Sequence, residues 1–233
     1  DPAFETLLVG RKVKVLLGDV DLLRWKQDLI EDRNRLATLY AAAEQVSIAR
    51  DDKLLKLREQ IASKCKNPIN PGNRKVMVFT AFADTATYLY EQLAGWAKAE
   101  LGLETALVTG SGRNQTTVPS LRRDLTSILT AFSPRSKERP EELAGEGEID
   151  LLIATDCISE GQNLQDCDWH INYDIHWNPV RIIQRFGRID RLGSKNTQIQ
   201  LINFWPNMEL DEYINLEARV SGRMVLLDIS ATG

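Results

Sequence analysis

Cysteine, histidine and long apolar runs are all scarce in this sequence, and each scarcity excludes something. Only three cysteines occur, Cys65, Cys157 and Cys167, an odd number at spacings that match no zinc pattern. A disulfide framework is therefore not expected, and a reducing, cytoplasmic compartment is the simplest setting. Two histidines, His170 and His176, argue against a metal site, so no metal ligands are assigned. No apolar stretch approaches the ~20 residues that cross a bilayer. The start of the chain carries no secretory leader pattern, so no membrane partner is expected. Positive charge is not in excess either: 29 Lys and Arg face 33 Asp and Glu, a net charge of −4. A polyanion-wrapping surface over the whole chain is excluded, and any such contact must come from a local patch. The Gly-x-x-x-x-Gly-Lys-Ser/Thr phosphate loop is missing, as is an Asp-Glu pair after an apolar strand.

What is present suits a folded α/β chain. The 233 residues are 43% hydrophobic and 27% charged, enough for one sizeable core or a domain with a helical appendage. The chain opens with Asp1 and stops at Gly233 just after an apolar stretch, which reads as a piece excised from a longer protein.

Two rhythms divide the sequence. From Val20 to about Lys64, apolar residues recur at three- and four-residue spacing: Leu22, Leu29, Leu36 and Tyr40, then Leu54, Leu57 and Ile61. That is an amphipathic helix pattern, uninterrupted by Pro or Gly before Asn67. The turn cluster Asn67-Pro68-Ile69-Asn70-Pro71-Gly72 then marks a boundary. Residues 1–74 are expected to be a helical linker and 75–233 a second domain. In that domain, strands expected at 76–79, 105–108, 149–154, 170–173 and 199–204 alternate with helical patterns at about 84–100, 119–132 and 180–188. A further helix is expected near Glu209, and 133–148 reads as a polar surface loop. Alternation of this kind predicts a parallel sheet with helices on both faces.

The segment with the sharpest chemistry runs from Asn178 to Arg191. Asn178 suits a helix N-cap and Pro179 the first helical position. If helical geometry persists, Gln184, Arg188 and Arg191 fall on one face, with Ile182, Ile183, Phe186 and Ile189 on the buried side. Guanidinium forks stay charged and grip phosphate oxygens bidentately, so such a stripe suits a polyanion. Gly187 permits a close backbone approach beside Arg188. A bare arginine stripe is more often a solvated face paired with surface acids. The full string Gln184-Arg185-Phe186-Gly187-Arg188-Ile189-Asp190-Arg191 reverses that balance.

This string resembles motif VI of superfamily-two helicases, and Leu192-Gly193-Ser194 extends the likeness to their Swi/Snf-like branch. About 20 residues earlier, Ala154 to Leu164 resembles motif V, and Tyr173-Asp174 with Trp177-Asn178-Pro179 also looks like the Swi/Snf branch. Lys75 to Thr80 resembles motif IV, and Thr109-Gly110, with Arg122 or Arg123 beyond it, fits a further backbone-contact position. The whole is similar to a bacterial group that includes the RNA-polymerase-associated recycling ATPase.

The resemblance covers roughly 75–205. It implies the C-terminal RecA-like lobe of a helicase or DNA translocase: a three-layer α/β fold with a parallel sheet and an N-terminal helical appendage. It implies that Arg188 and Arg191 are arginine fingers, that Gln184 couples nucleotide to the inter-lobe cleft, and that Gly161, Asn163 and Gly187 lie near the nucleotide. Thr80, Thr109, Gly110 and Thr155 would contact the nucleic-acid backbone, duplex DNA being favoured. ATP and Mg2+ would be held mainly by the N-terminal RecA-like lobe of the same polypeptide, so this chain alone is expected to be inactive. Residues 1–74 would link the lobes. Two other readings remain: a RecA-like scaffold with no motor activity, and an unrelated α/β transferase that binds a phosphorylated metabolite.

Overall fold

In a computed structural model of the protein, residues 6–110, 114–158, 162–175, 179–190 and 193–205 are described. The expected helix near Glu209 lies outside them. The chain divides into two compact units, Asp1–Lys53 and Leu54–Gly233. This differs from a boundary after the 67–72 turn cluster, and packing explains the difference. The stripe Leu54, Leu57, Ile61 and Lys64 is fully buried within the second unit.

In the first unit, a short hairpin of β1 (Leu8–Val9) and β2 (Val15–Leu16) precedes helix α1 (Leu22–Glu44). Asp21 caps α1 by accepting the backbone N–H of Arg24 at 3.0 Å. The helical pattern does not run through to Lys64 unbroken. It stops at Gln45, passes through a 3-10 turn at Ile48–Arg50 and resumes as α2 (Asp52–Lys66). Ser47 is extended there, and Val46, Ser47 and Ile48 are all weaker helix formers than the alanines before them.

The second unit is built on strands β3 (Val76–Phe79), β4 (Thr105–Val108), β5 (Gln115–Thr116), β6 (Leu151–Ala154), β7 (Trp169–Asn172) and β8 (Gln200–Asn203). Their order across the sheet is β5-β4-β6-β3-β7-β8. All pairings are parallel except β4 with β5. Helices α3 (Ala83–Trp96), α4 (Leu125–Phe132) and α5 (Pro179–Phe186) join them.

Every residue of β3, β4, β6 and β7 is buried, as in a sheet covered on both faces; β3 and β6 are wholly apolar, while β4 and β7 also bury Thr105, His170 and Asn172. Alternate residues serve opposite layers. Met77, Phe79, Val108 and Leu152 pack with Ile128, Leu129 and Phe132 of α4 and with Ile189. Val76, Val78, Leu107 and Ile153 pack with α2 and with Leu89 and Leu93 of α3. The result is the three-layer RecA-like arrangement. Chain order reverses around β3, with β6 on one side of it and β7 on the other, so the carboxyl ends of these strands form the crevice where open α/β sheets bind ligands.

Two elements depart from expectation. The helix foreseen over 119–132 starts only at Leu125, because Asp124 caps it by accepting the Ser127 N–H at 2.9 Å. Strand β5 was not foreseen: two polar residues carry no pattern.

Candidate functional site

The three motif-bearing segments meet at the carboxyl ends of β3, β6 and β7. Phe79 and Thr80 end β3, Thr155 and Asp156 follow β6, and Tyr173 and Asp174 follow β7. The backbone holds the ends together: Thr80 N–H donates to Ala154, Thr155 N–H to Val108 and Tyr173 N–H to Phe79.

Arg185, which sequence reasoning left without a role, ties these ends to α5. It is fully buried. Its Nε–H donates to Asp156 Oδ1 at 2.7 Å and its Nη2–H to Asp156 Oδ2 at 2.8 Å. Nη1–H donates to Asn172 Oδ1 at 2.9 Å, and the guanidinium carbon sits 5.2 Å from the centre of the Phe79 ring. One signal for this lay in the sequence. Asp156 follows a buried strand, and a carboxylate there needs a cation or donors to offset its lost hydration.

The polar chain continues across the sheet. Asn172 Nδ2–H donates to Asn203 Oδ1 at 2.8 Å. His170 Nε2 lies 3.2 Å from Asn172 Oδ1, and the imidazole stacks on Phe79 at 5.1 Å. Burial pushes the His170 pKa down to about 3; Arg185 and Arg188 add to the effect, and the hydrogen bond to Asn172 opposes it.

Gln184 and Arg188 of the expected stripe do not share one continuous helix. Helix α5 ends at Phe186, and the next turn tightens: Arg188 N–H donates to Arg185 O and Ile189 N–H to Phe186 O. That rotation turns Arg188 inward. It is only 5% exposed, with its guanidinium carbon 5.9 Å from the Phe79 ring centre, beside Arg185. Gln184 is half-buried. Gly187 is half-buried too, and a β-carbon there would meet nothing nearer than Ile183 O at 3.5 Å, an ordinary contact. Arg191 and Gly161 lie outside the described residues.

The candidate nucleic-acid contacts divide. Thr80 is buried and its hydroxyl donates to Asp174 Oδ2, so the group assigned to a phosphate faces inward in this structure. Thr109 and Thr155 are buried at the ends of β4 and β6, and Gly110, next after Thr109, is exposed. A β-carbon on Gly110 would come within 2.9 Å of the Cys157 β-carbon, so glycine lets these two loops touch. Asn163 stands further along its loop, where its Oδ1 accepts the Gln165 N–H at 3.3 Å.

A cleft of about 700 Å³ opens at the opposite, amino end of the sheet between the 70–75, 134–141 and 195–197 segments. None of the described candidate residues lines it.

Residues 52–193 match the helicase conserved C-terminal domain. The chain belongs to that family. This helicase C-terminal lobe is 31% identical over 140 residues to the uncharacterized ATP-dependent helicase YqhH of Bacillus subtilis, covering 60% of this chain and 20% of that protein. It is 36% identical over 78 residues to DEAD-box ATP-dependent RNA helicase 10 of Arabidopsis thaliana, covering 34% of the chain and 16% of the relative. The lobe thus spans about a fifth of such relatives or less. The solved C-terminal part of the Fun30 ATPase domain aligns with 70% of this chain and 43% of its own, at a TM-score of 0.48 and 18% identity.

Proposed function

We propose that this lobe is the C-terminal half of an ATP-dependent, Swi/Snf-like translocase or helicase that acts on duplex DNA in the cytoplasm. One observation carries the reading. Arg185 and Arg188 both rest on Phe79, and Arg185 is gripped by Asp156, at the carboxyl ends of β3 and β6, where a ligand of an open α/β sheet binds. The match to the helicase C-terminal family supports it.

The residues present fit one side of a nucleotide site. Guanidinium groups and the room at Gly187 suit a polyphosphate approached from outside. The sequence has no phosphate loop of its own. ATP and Mg2+ would therefore be held mainly by an N-terminal RecA-like lobe, and ATP supplies the phosphoryl group when bound. Arg188 and Arg191 then serve as arginine fingers, with Arg188 swinging off Phe79 as the lobes close. Gln184, Gly161, Asn163 and Gly187 line the nucleotide side. Thr155, Thr109 and Gly110 hold the nucleic-acid backbone, a contact that carries no sequence information and suits a protein that moves along its track. Thr80 acts at one remove, by fixing Asp174. Residues 1–74 connect the lobes, and this chain alone hydrolyses ATP negligibly.

The test is ATP hydrolysis by the full-length protein with duplex DNA, single-stranded DNA and RNA supplied separately. Duplex DNA is expected to stimulate most. Stimulation by RNA alone overturns the substrate assignment, and no hydrolysis with any of the three would favour a scaffold.

A further inference from the structure

We propose that the cleft at the amino end of the sheet is a docking site for an acidic peptide segment of a partner protein, with Arg135 and Lys195 as its cation pair. The cleft lies at the end of the sheet opposite the motif segments, and the inference is independent of the motor reading.

The cleft has the length and the rigidity for an extended chain. Strands β6, β3, β7 and β8 lie side by side, and residues leading into each of them line it: Asp150, Lys75, Asp166 and Thr197. Strands spaced about 4.8 Å apart give a span of about 14 Å, the reach of about four extended residues. A second cavity of about 200 Å³ continues it, and Arg135, Asp166, Lys195 and Asn196 line both. The floor is fixed in advance. Asn73 Nδ2–H donates to Asp166 O and to Asn196 Oδ1, each at 2.9 Å. Asn196 Nδ2–H donates to Gln165 O at 2.9 Å, and Asn70 Oδ1 accepts the Thr197 N–H at 2.9 Å. Such a floor needs little ordering when a ligand arrives.

Most acids of the cleft are engaged, and two of its cations are not. Glu148 pairs with Lys75 at 2.9 Å, and Asp150 accepts the Glu104 N–H at 3.1 Å. Asp166 accepts the N–H groups of Arg135 and Ser136 at 2.8 and 3.1 Å. Glu141 is the remaining acid. Arg139 donates to the carbonyl of Gly147 at 2.7 Å, and Arg74 donates to that of Leu101, so neutral partners hold both guanidinium groups. The side chains of Arg135 and Lys195 are exposed, and among the described residues neither has a hydrogen-bond or ion-pair partner. Free positive charge over a rigid polar floor selects an anion.

The lining decides which anion. Apart from three prolines, no apolar or aromatic side chain of the described residues lines either cavity, so bases have no stacking platform. The carboxylates along the cleft also repel a phosphodiester chain. Gln165 lines the smaller cavity, and its amide oxygen has no donor among the described residues. A peptide N–H supplies one, and an acceptor-only phosphate does not. A peptide with an Asp or Glu at the Arg135 end meets the cations with its carboxylate, which the guanidinium fork takes bidentately, and the polar floor with its backbone.

The experiment measures fluorescence anisotropy of labelled Gly-Glu-Gly-Glu-Gly-Glu and Gly-Lys-Gly-Lys-Gly-Lys on the full-length protein. The glutamate peptide is expected to saturate below about 1 mM and to bind more tightly than the lysine peptide; the net charge of −4 on this chain alone favours the reverse order. Arg135→Glu and Lys195→Glu should each weaken the glutamate peptide about fivefold, the scale of one exposed ion pair. The double variant should prefer the lysine peptide. Both positions are exposed and lie outside the proposed motor site, so DNA-stimulated ATP hydrolysis by these variants should match wild type and reports that they fold. No saturation by the glutamate peptide, a wild-type preference for lysine, or unchanged affinity in the folded double variant overturns the proposal. Displacement of the peptide by inorganic phosphate or by single-stranded DNA at a concentration below the peptide's own also overturns it, and reassigns the cleft to that anion.

Discussion

Gly110 and Cys157 face each other so closely that a β-carbon on Gly110 would lie 2.9 Å from the Cys157 β-carbon. The loops after β4 and β6 are therefore in contact through a missing side chain. Gly110→Ala is expected to force them apart at a cost of about 1–3 kcal/mol, as overpacking does. The clash is with the β-carbon itself, so Cys157→Ala should give no relief and Cys157→Gly should restore most of the stability. Urea unfolding of the three variants decides this; rescue by Cys157→Ala would show the contact to be elsewhere.

Lys64 of α2 is buried against Asp168, with Nζ 2.5 Å from Oδ1, and Asn70 donates to the same carboxylate at 2.7 Å. This pair ties α2 to the start of β7. Lys64→Met or Asp168→Asn alone leaves one buried charge uncompensated and is expected to cost about 3–5 kcal/mol. Removing both charges with apolar residues of similar size should recover much of that loss. Denaturant midpoints test it: if each single variant unfolds at the wild-type midpoint, the pair contributes nothing.

The buried His170 makes stability depend on pH in a fixed direction. Its native pKa, about 3, lies below the ordinary value of 6.5. Above pH 6.5 both native and unfolded chains carry a neutral ring, and the contribution is complete. As pH falls below 6.5 the unfolded chain takes up the proton and the native one does not, so stability drops by up to about 1.4 kcal/mol per pH unit until pH nears 3. Between pH 6.5 and 5, wild type should lose roughly 1.5 kcal/mol more than a His170→Gln variant. Equal losses in the two would mean that His170 takes up its proton in the folded chain as readily as in the unfolded one.

Gly187 separates structural from functional demand. A methyl group there meets only ordinary contacts, so Gly187→Ala should leave the melting temperature within about 2 °C of wild type, as a change of a few tenths of a kcal/mol would. If the glycine serves a nucleotide approaching from outside, the same substitution should raise the KM for ATP in the full-length protein. A variant that melts early with an unchanged KM would assign the glycine to the turn instead.

Much of the fold was legible because β3 and β6 are apolar along their whole length, as in a sheet covered on both faces. Strand β5 was not, since Gln115 and Thr116 earn their place by pairing with β4 and carry no apolar period. The site was legible as a set of segments but less so in orientation. Periodicity put Arg188 on an outward stripe, and the tight turn after Phe186 turned it inward. Arg185 was passed over for the same reason: a charge amid apolar residues reads as solvated until its partner is known. Asp156, 29 residues away in sequence, supplies that partner. Thr80 likewise faces Asp174, a contact that no local pattern encodes.

The most direct test of the account is the DNA-stimulated rate of ATP hydrolysis by full-length protein carrying Arg188→Ala. The account predicts a loss of about 100-fold or more, the scale of a missing arginine finger, with the melting temperature little changed. A variant that folds and hydrolyses ATP at the wild-type rate would contradict it.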